Sequence, residues 1–152
     1  MSDSITSEQS TSRDPALRLN AQPLERLIEV RRMRVGDIAA HARNPKRHPQ
    51  RQQEALRETL RTLGQADVLK AYYSERNGGA LTLYDGHARQ GLDDAAEWNV
   101  AIFDLTDAEA DDWLRYADPI AALAETDNAI LAALIADAST DSAVLAALLS
   151  ER

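Results

Sequence analysis

The chain contains no cysteine. That excludes disulfides, thiolate zinc sites and cysteine nucleophiles, and it fits a reducing compartment, so a cytoplasmic location is the expectation. Aromatic residues make up only 5% of the 152 positions, so a core must be built mainly from aliphatic side chains. No apolar run approaches the roughly 20 residues of a membrane span. The Ser/Thr/Glu-rich N-terminus also lacks the apolar segment of a secretory signal, so no membrane partner is expected. Large apolar side chains are too few before Arg26 to bury anything, which predicts a disordered tail over residues 1–26.

The net charge is −8, but it is unevenly distributed. From Arg26 to Arg61 there are ten Lys/Arg against four Asp/Glu; from Asp85 to Arg152 there are three against fifteen. A polarised chain of this kind has two readings. The basic segment forms a face for nucleotide or nucleic-acid phosphates, or the acidic half simply neutralises the basic one. Overall acidity counts against strong non-specific DNA binding, which depends on phosphate neutralisation by Lys and Arg.

The chain is organised around Leu81-Thr82-Leu83-Tyr84-Asp85-Gly86-His87-Ala88-Arg89. Alternating Leu81 and Leu83 beside Thr82 and Tyr84 predict a strand. Gly86 allows a tight turn and a close approach to the backbone. A helix beginning there would offer free N–H groups and a positive dipole end to an anion. Asp85, His87 and Arg89 surround that point with an acid, an imidazole and a guanidinium. The cluster suits a phosphate; its plainer reading is a solvated strand–helix corner.

Around this corner the remaining elements can be predicted in order. Glu29 to Val35 reads as a first strand, followed by one helical turn over Gly36–Ala40. His41 to Pro49 holds two prolines, which forbid a regular element and leave a loop dense in cations, amides and imidazoles. A helix then runs to Leu63 with Leu56, Leu60 and Leu63 on one stripe, and Gly64 ends it. Val68–Tyr73 and Leu81–Tyr84 form a hairpin around Asn77-Gly78-Gly79. The helix from His87 is predicted to reach Glu97, followed by a strand over Val100–Phe103. Thr106 and Glu109 form a capping box for another helix, with Trp113, Leu114 and Ala117 on its inner face and Trp113 read as core rather than as a stacking platform. Two similar segments follow, Thr126–Ile135 and Thr140–Leu149. Each starts at Thr/Asp and predicts a short amphipathic helix, either packed on the domain or exposed to a partner.

This order of elements resembles the N-terminal domain of the ParB/sulfiredoxin superfamily over roughly Val30 to Asp137. The resemblance is carried by Arg43-Asn44-Pro45-Lys46-Arg47-His48, by Leu56 to Gly64, and by Asp85-Gly86-His87-Ala88-Arg89. Asp104 to Ala110 and Asp118 to Ala124 complete it. It is closest to the ParB-like (ParB-like nuclease) proteins of phages and prophages, some of which stand beside DNA methyltransferases or are fused to them. It implies an α+β fold, a small mixed β-sheet with packed helices, over 27–124. A helical extension over 125–152 follows, with two short repeated helices.

The family also implies a nucleoside triphosphate, CTP or ATP, bound with magnesium. Carried onto this sequence, Gly86, His87 and Arg89 would contact phosphates from the helix start. Asn44, Lys46 and His48 would face them from the Asn-Pro loop, and Gly64 and Gln65 would border the nucleotide. Asp85 would be the magnesium ligand or general base, and Asp85 and His87 are the catalytic candidates.

Departures from the family pattern narrow this. Sulfiredoxins need a Cys next to the phosphate-binding glycine, so sulfinic-acid reduction is excluded. Asp67-Val68 stands where ParB clamps carry a proline, and Tyr116-Ala117-Asp118-Pro119 replaces an Asn-rich nucleotide motif. An acid there would repel a triphosphate unless a metal lay between. No separate helix-turn-helix follows, which counts against a sliding clamp.

Three functions remain open. The first is a domain that binds a nucleotide or DNA phosphates and works with a DNA methyltransferase-type partner. The second is a magnesium-dependent kinase or phosphohydrolase, a nuclease being less favoured. The third is an interaction module with a dead pocket, forming a homo-oligomer through Val144, Leu145, Leu148 and Leu149.

Overall fold

The computed structural model describes residues 24–152. Most of the expected tail, residues 1–23, lies outside them. Of its last residues, Arg26 is ion-paired with Glu109 at 2.8 Å. Among the described residues no helix is long and apolar enough to cross a membrane.

Four strands form one mixed sheet. They are β1 (Leu27–Arg34), β2 (Leu69–Ser74), β3 (Ala80–Asp85) and β4 (Glu97–Phe103), in the spatial order β1-β4-β2-β3. β1 and β4 are antiparallel, β2 and β3 form the antiparallel hairpin, and β2 runs parallel to β4. A parallel pair needs a crossover, and that crossover contains β3 and the short helix α2 (His87–Gln90). The other helices are α1 (Gln50–Leu63), α3 (Asp107–Ala121), α4 (Asn128–Ala136) and α5 (Ala143–Leu149).

Strand alternation sends side chains to two cores. On one face Leu69, Ala71, Leu83, Trp98, Val100 and Ile102 pack with Val35 and Ile38, and Leu60 of α1 covers them. On the other, Tyr72 and Tyr84 pack against Ala110 of α3, joined by Phe103 and Leu105. The capping box forms as expected: Thr106 accepts from the Glu109 N–H, and the Glu109 carboxylate accepts from the Thr106 N–H. The predicted Leu stripe of α1 does not act as a unit. Leu60 reaches the core, Leu56 turns toward a pocket, and Leu63 is 70% exposed.

Two further expectations need correction. The helix after Gly86 spans four residues rather than reaching Glu97, because Gly91 follows at once and tertiary bonds pull the chain out of helix. The Asp93 carboxylate accepts from the Ala95 N–H at 2.9 Å. Asp94 and Ala96 carbonyls accept from Gly36 and Val35, each at 3.0 Å, which leads directly into β4. Val35–Asp37 itself is a 3-10 turn, one residue earlier than expected.

The two C-terminal repeats also diverge in use. Asp127 caps α4, but Ser142 rather than Thr140 or Asp141 caps α5, because Asp141 faces Arg61 of α1 at 2.9 Å. Leu145, Leu148 and Leu149 of α5 line a groove of about 560 Å³ against Thr59, Thr62 and Leu63 of α1. α4 leaves Ile130 and Leu134 more than 60% exposed.

One carboxylate ties the hairpin to α3. Asp107 accepts from the Tyr72 hydroxyl at 2.7 Å, the Ser74 hydroxyl at 2.5 Å and the Arg76 N–H at 2.8 Å. Burial opposes its charge, but these bonds outweigh burial and hold its pKa at about 2. Asp107→Ala strands two buried hydroxyls. It is expected to lower the unfolding free energy in urea by about 2–4 kcal/mol, against under about 0.5 kcal/mol for Glu75→Ala on the exposed hairpin loop.

Candidate functional site

The sequence places a positive-φ glycine where β3 must stop. Gly86 sits at φ +101°, and a Cβ there would lie 2.5 Å from Cδ2 of Leu69. The chain turns tightly onto β2 and enters α2, whose Gln90 amide donates to the Ile38 carbonyl at 2.8 Å and anchors it. A single helical turn sums few peptide dipoles, so the anion affinity expected of this helix start must come mainly from side chains.

Those side chains converge. Asn44, Lys46 and His48 from the Asn-Pro loop, and Asp85, Gly86, His87 and Arg89 from the corner, line one cavity of about 300 Å³. Gln52 and Leu56 of α1 and Trp113, Leu114, Ala117 and Asp118 of α3 complete its wall. Gly64 and Gln65 do not join them. They border a neighbouring groove that shares only Arg89 with the first cavity. Gln65 is tied there, accepting from Arg32 at 3.2 Å and donating to the Glu97 carbonyl at 2.8 Å.

Hydrogen bonding fixes the states of the imidazoles. His87 Nε2 accepts from the His41 N–H at 3.1 Å, so a neutral ring carries its proton on Nδ1. Burial, reinforced by His41 and His48 nearby, pulls the His87 pKa down to about 4. At neutral pH it is a hydrogen-bond donor, not a cation. His48 pairs through Nδ1 with Gln52 at 3.0 Å, and its Nε2 is buried without a partner.

Behind the Asn-Pro loop lies a second, structural cluster. Asp111 of α3 is buried and accepts a bidentate pair from Arg76 at 3.1 and 3.0 Å, and Arg43 at 2.5 Å. His41, also buried, points Nε2 at Asp111 from 3.5 Å, the limit of hydrogen-bond distance, and burial lowers its pKa. Asp111 therefore pins the loop whose next residues enter the cavity.

The Lys and Arg side chains that line the cavity are both matched by acids. Lys46 Nζ lies 2.8 Å from Asp118 and Arg89 is ion-paired with Asp67, while the lining acid Asp85 lies 3.3 Å from Lys70 Nζ of β2. Seven of the ten basic residues between Arg26 and Arg61 are ion-paired. Six of those seven pair with acids from the second half of the chain. Of the two charge readings, internal neutralisation is the one observed. Among the described residues no cluster of three or more His, Cys, Asp or Glu is arranged to hold a metal ion.

No family model matches the chain, and no curated protein matches it in sequence. Among solved structures it is similar to a crystal structure of C-terminally truncated chromosome-partitioning protein ParB from Caulobacter crescentus complexed with CTP-γ-S. The TM-score is 0.51 at 15% identity, over 65% of this chain and 56% of that one. The fold is ParB-like. At this identity the likeness concerns the arrangement of elements, and the chain spans little more than half of that neighbour.

Within the ParB-like fold, the residues missed from sequence are those contributed by α1 and α3. Trp113 is not core. It is 42% exposed and stands on the cavity wall. Helical periodicity assigns it to the face that carries Ala110, and there it packs edge-to-face on Tyr84 of β3 while part of the side chain stays exposed. Asp118 had a sequence signal, an acid in place of an Asn-rich motif, but its partner Lys46 is 72 positions away.

The His87 shift predicts a pH dependence. Unfolded, the ring protonates near 6.5; folded, it stays neutral down to about 4. The unfolded chain therefore binds more protons in this window, and stability is lost as pH falls from neutrality toward 4. His87→Gln keeps an acceptor for the His41 N–H. It is expected to flatten the decline of the urea midpoint between pH 7 and pH 5, the remaining slope coming from His41 and, close to pH 5, from Glu109. An unchanged slope would contradict the assignment.

Proposed function

We propose that this domain binds a nucleoside triphosphate, CTP or ATP, in the cavity between the Asn-Pro loop, α2 and α3. The observation that carries the reading is the convergence of Asn44, Lys46, His48, Gly86, His87 and Arg89, from two separate segments, on one cavity. The similar ParB structure has CTP-γ-S bound, which agrees with it. Arg89 offers a planar fork and Lys46 a point charge to phosphate oxygens. His87 donates from Nδ1, and Gly86 lets an oxygen approach the backbone closely. Gly64 and Gln65 meet whatever part of the ligand extends past Arg89 into the adjoining groove.

Charge pairing gives binding a competitive character. Phosphates must displace Asp118 from Lys46 and Asp67 from Arg89. A magnesium ion arriving with the triphosphate would take Asp85 as its one protein carboxylate and would supply neutralisation between acid and phosphate. Binding is favoured over turnover. The His87 Nε2 lone pair is engaged by His41 and Lys70 holds Asp85, so neither group is free to act as a base. Action on DNA beside a methyltransferase-type partner rests on the basic segment alone. With most of that segment neutralised, DNA binding would be weak and dependent on the partner.

Thermal unfolding with CTP, ATP or GTP, with and without Mg²⁺, tests the proposal. A ligand that binds only the folded form raises the midpoint by mass action, by roughly 5–10 °C at about 100 times its Kd. Arg89→Ala is expected to abolish the shift, while Asp118→Asn, which frees Lys46, is expected to tighten binding about fivefold. No shift with any nucleotide would overturn it.

A further inference from the structure

We infer that Trp113 is the base-recognition wall of this cavity, so that the ring of a nucleoside triphosphate lies against its indole. The inference rests on the nucleotide reading above and assigns the part of the cavity that phosphates do not need. The chain has two tryptophans, and the structure uses them oppositely. Trp98 is 2% exposed in the core, whereas Trp113 is 42% exposed and lines the cavity.

The indole is held in place rather than loose. Tyr84 meets it nearly perpendicular, with ring centroids 5.9 Å apart and an interplanar angle of 83°. Lys70 Nζ stands 4.8 Å from the ring centroid while also pairing with Asp85, a cation–π contact that fixes the side chain. One turn along α3, Ala117 lines the same wall, and Leu56 of α1 lines the cavity with it. The cavity therefore has an apolar part as well as the polar donors of the Asn-Pro loop and α2. An inorganic phosphate chain would use only the donors. A nucleoside would use both, because every base has a π-face that stacks on an aromatic side chain without demanding a particular hydrogen-bond pattern.

The test compares CTP, ATP and inorganic tripolyphosphate by calorimetric titration of the full chain, its Trp113→Ala variant and its Trp113→Phe variant. Trp113→Ala is expected to weaken the nucleotides about tenfold or more and to leave tripolyphosphate unchanged. Trp113→Phe should retain most of the nucleotide affinity. Nucleotide, but not tripolyphosphate, should quench the intrinsic fluorescence, and the quench should vanish in Trp113→Phe, where only buried Trp98 remains. Equal nucleotide affinity in wild type and Trp113→Ala, with tripolyphosphate still binding, would overturn the base wall and leave the phosphate site standing. Failure of tripolyphosphate and nucleotides alike to bind the wild type would overturn both.

Discussion

A side chain at position 86 would collide with Leu69. This steric limit between the end of β3 and the middle of the sheet forces a positive-φ glycine at the corner. One side of the cavity follows from that placement. Asp85 is the last residue of the strand, His87 and Arg89 are on the first turn after it, and the close approach to β2 brings Lys70 to Asp85. The bond from the His41 N–H to His87 then fixes the Asn-Pro loop against the same corner.

Charge organises the second layer. The basic first half and acidic second half of the chain are folded onto each other, through Arg26–Glu109, Arg43–Asp111 and Arg61–Asp141 as well as Lys46–Asp118. Buried Asp111, which draws on Arg43 and Arg76 at once, is structural, and removing it would release both arginines from α3. The exposed pairs at the cavity mouth are different. Such pairs contribute little to stability, so exchanging a carboxylate for a phosphate oxygen at Lys46 or Arg89 costs the fold little. Lys46 and Arg89 are thus positioned by acids whose loss costs the fold little.

Local features were legible in the sequence. The Thr106–Glu109 capping box, the Asn77-Gly78-Gly79 hairpin, and the stop of α1 at Gly64 each depend on residues a few positions apart, and each formed where its pattern lies. The corner at Gly86 was legible too, because glycine between a strand and a polar helix start has few other uses. Features that depend on distant partners were not. The early end of α2 is imposed by bonds from Val35 and Gly36, and Trp113, packed on Tyr84 and Lys70 of the sheet, also lines the cavity it shares with α1 and the Asn-Pro loop. The salt-bridge partners of Lys46 and Arg89 lie 72 and 22 positions away, and no periodicity reports them.

Backbone amide chemical shifts, followed during a titration of the ¹⁵N-labelled chain with CTP and Mg²⁺, test most directly whether the Gly86 corner and the Asn-Pro loop act as one site. The amides of Gly86 to Arg89 and of Asn44 to His48 should move together along one saturation curve, with those around Asp118 following as Lys46 is released. Shifts confined to the α1–α5 groove or to the exposed edge of β1, with the corner unmoved, would contradict it.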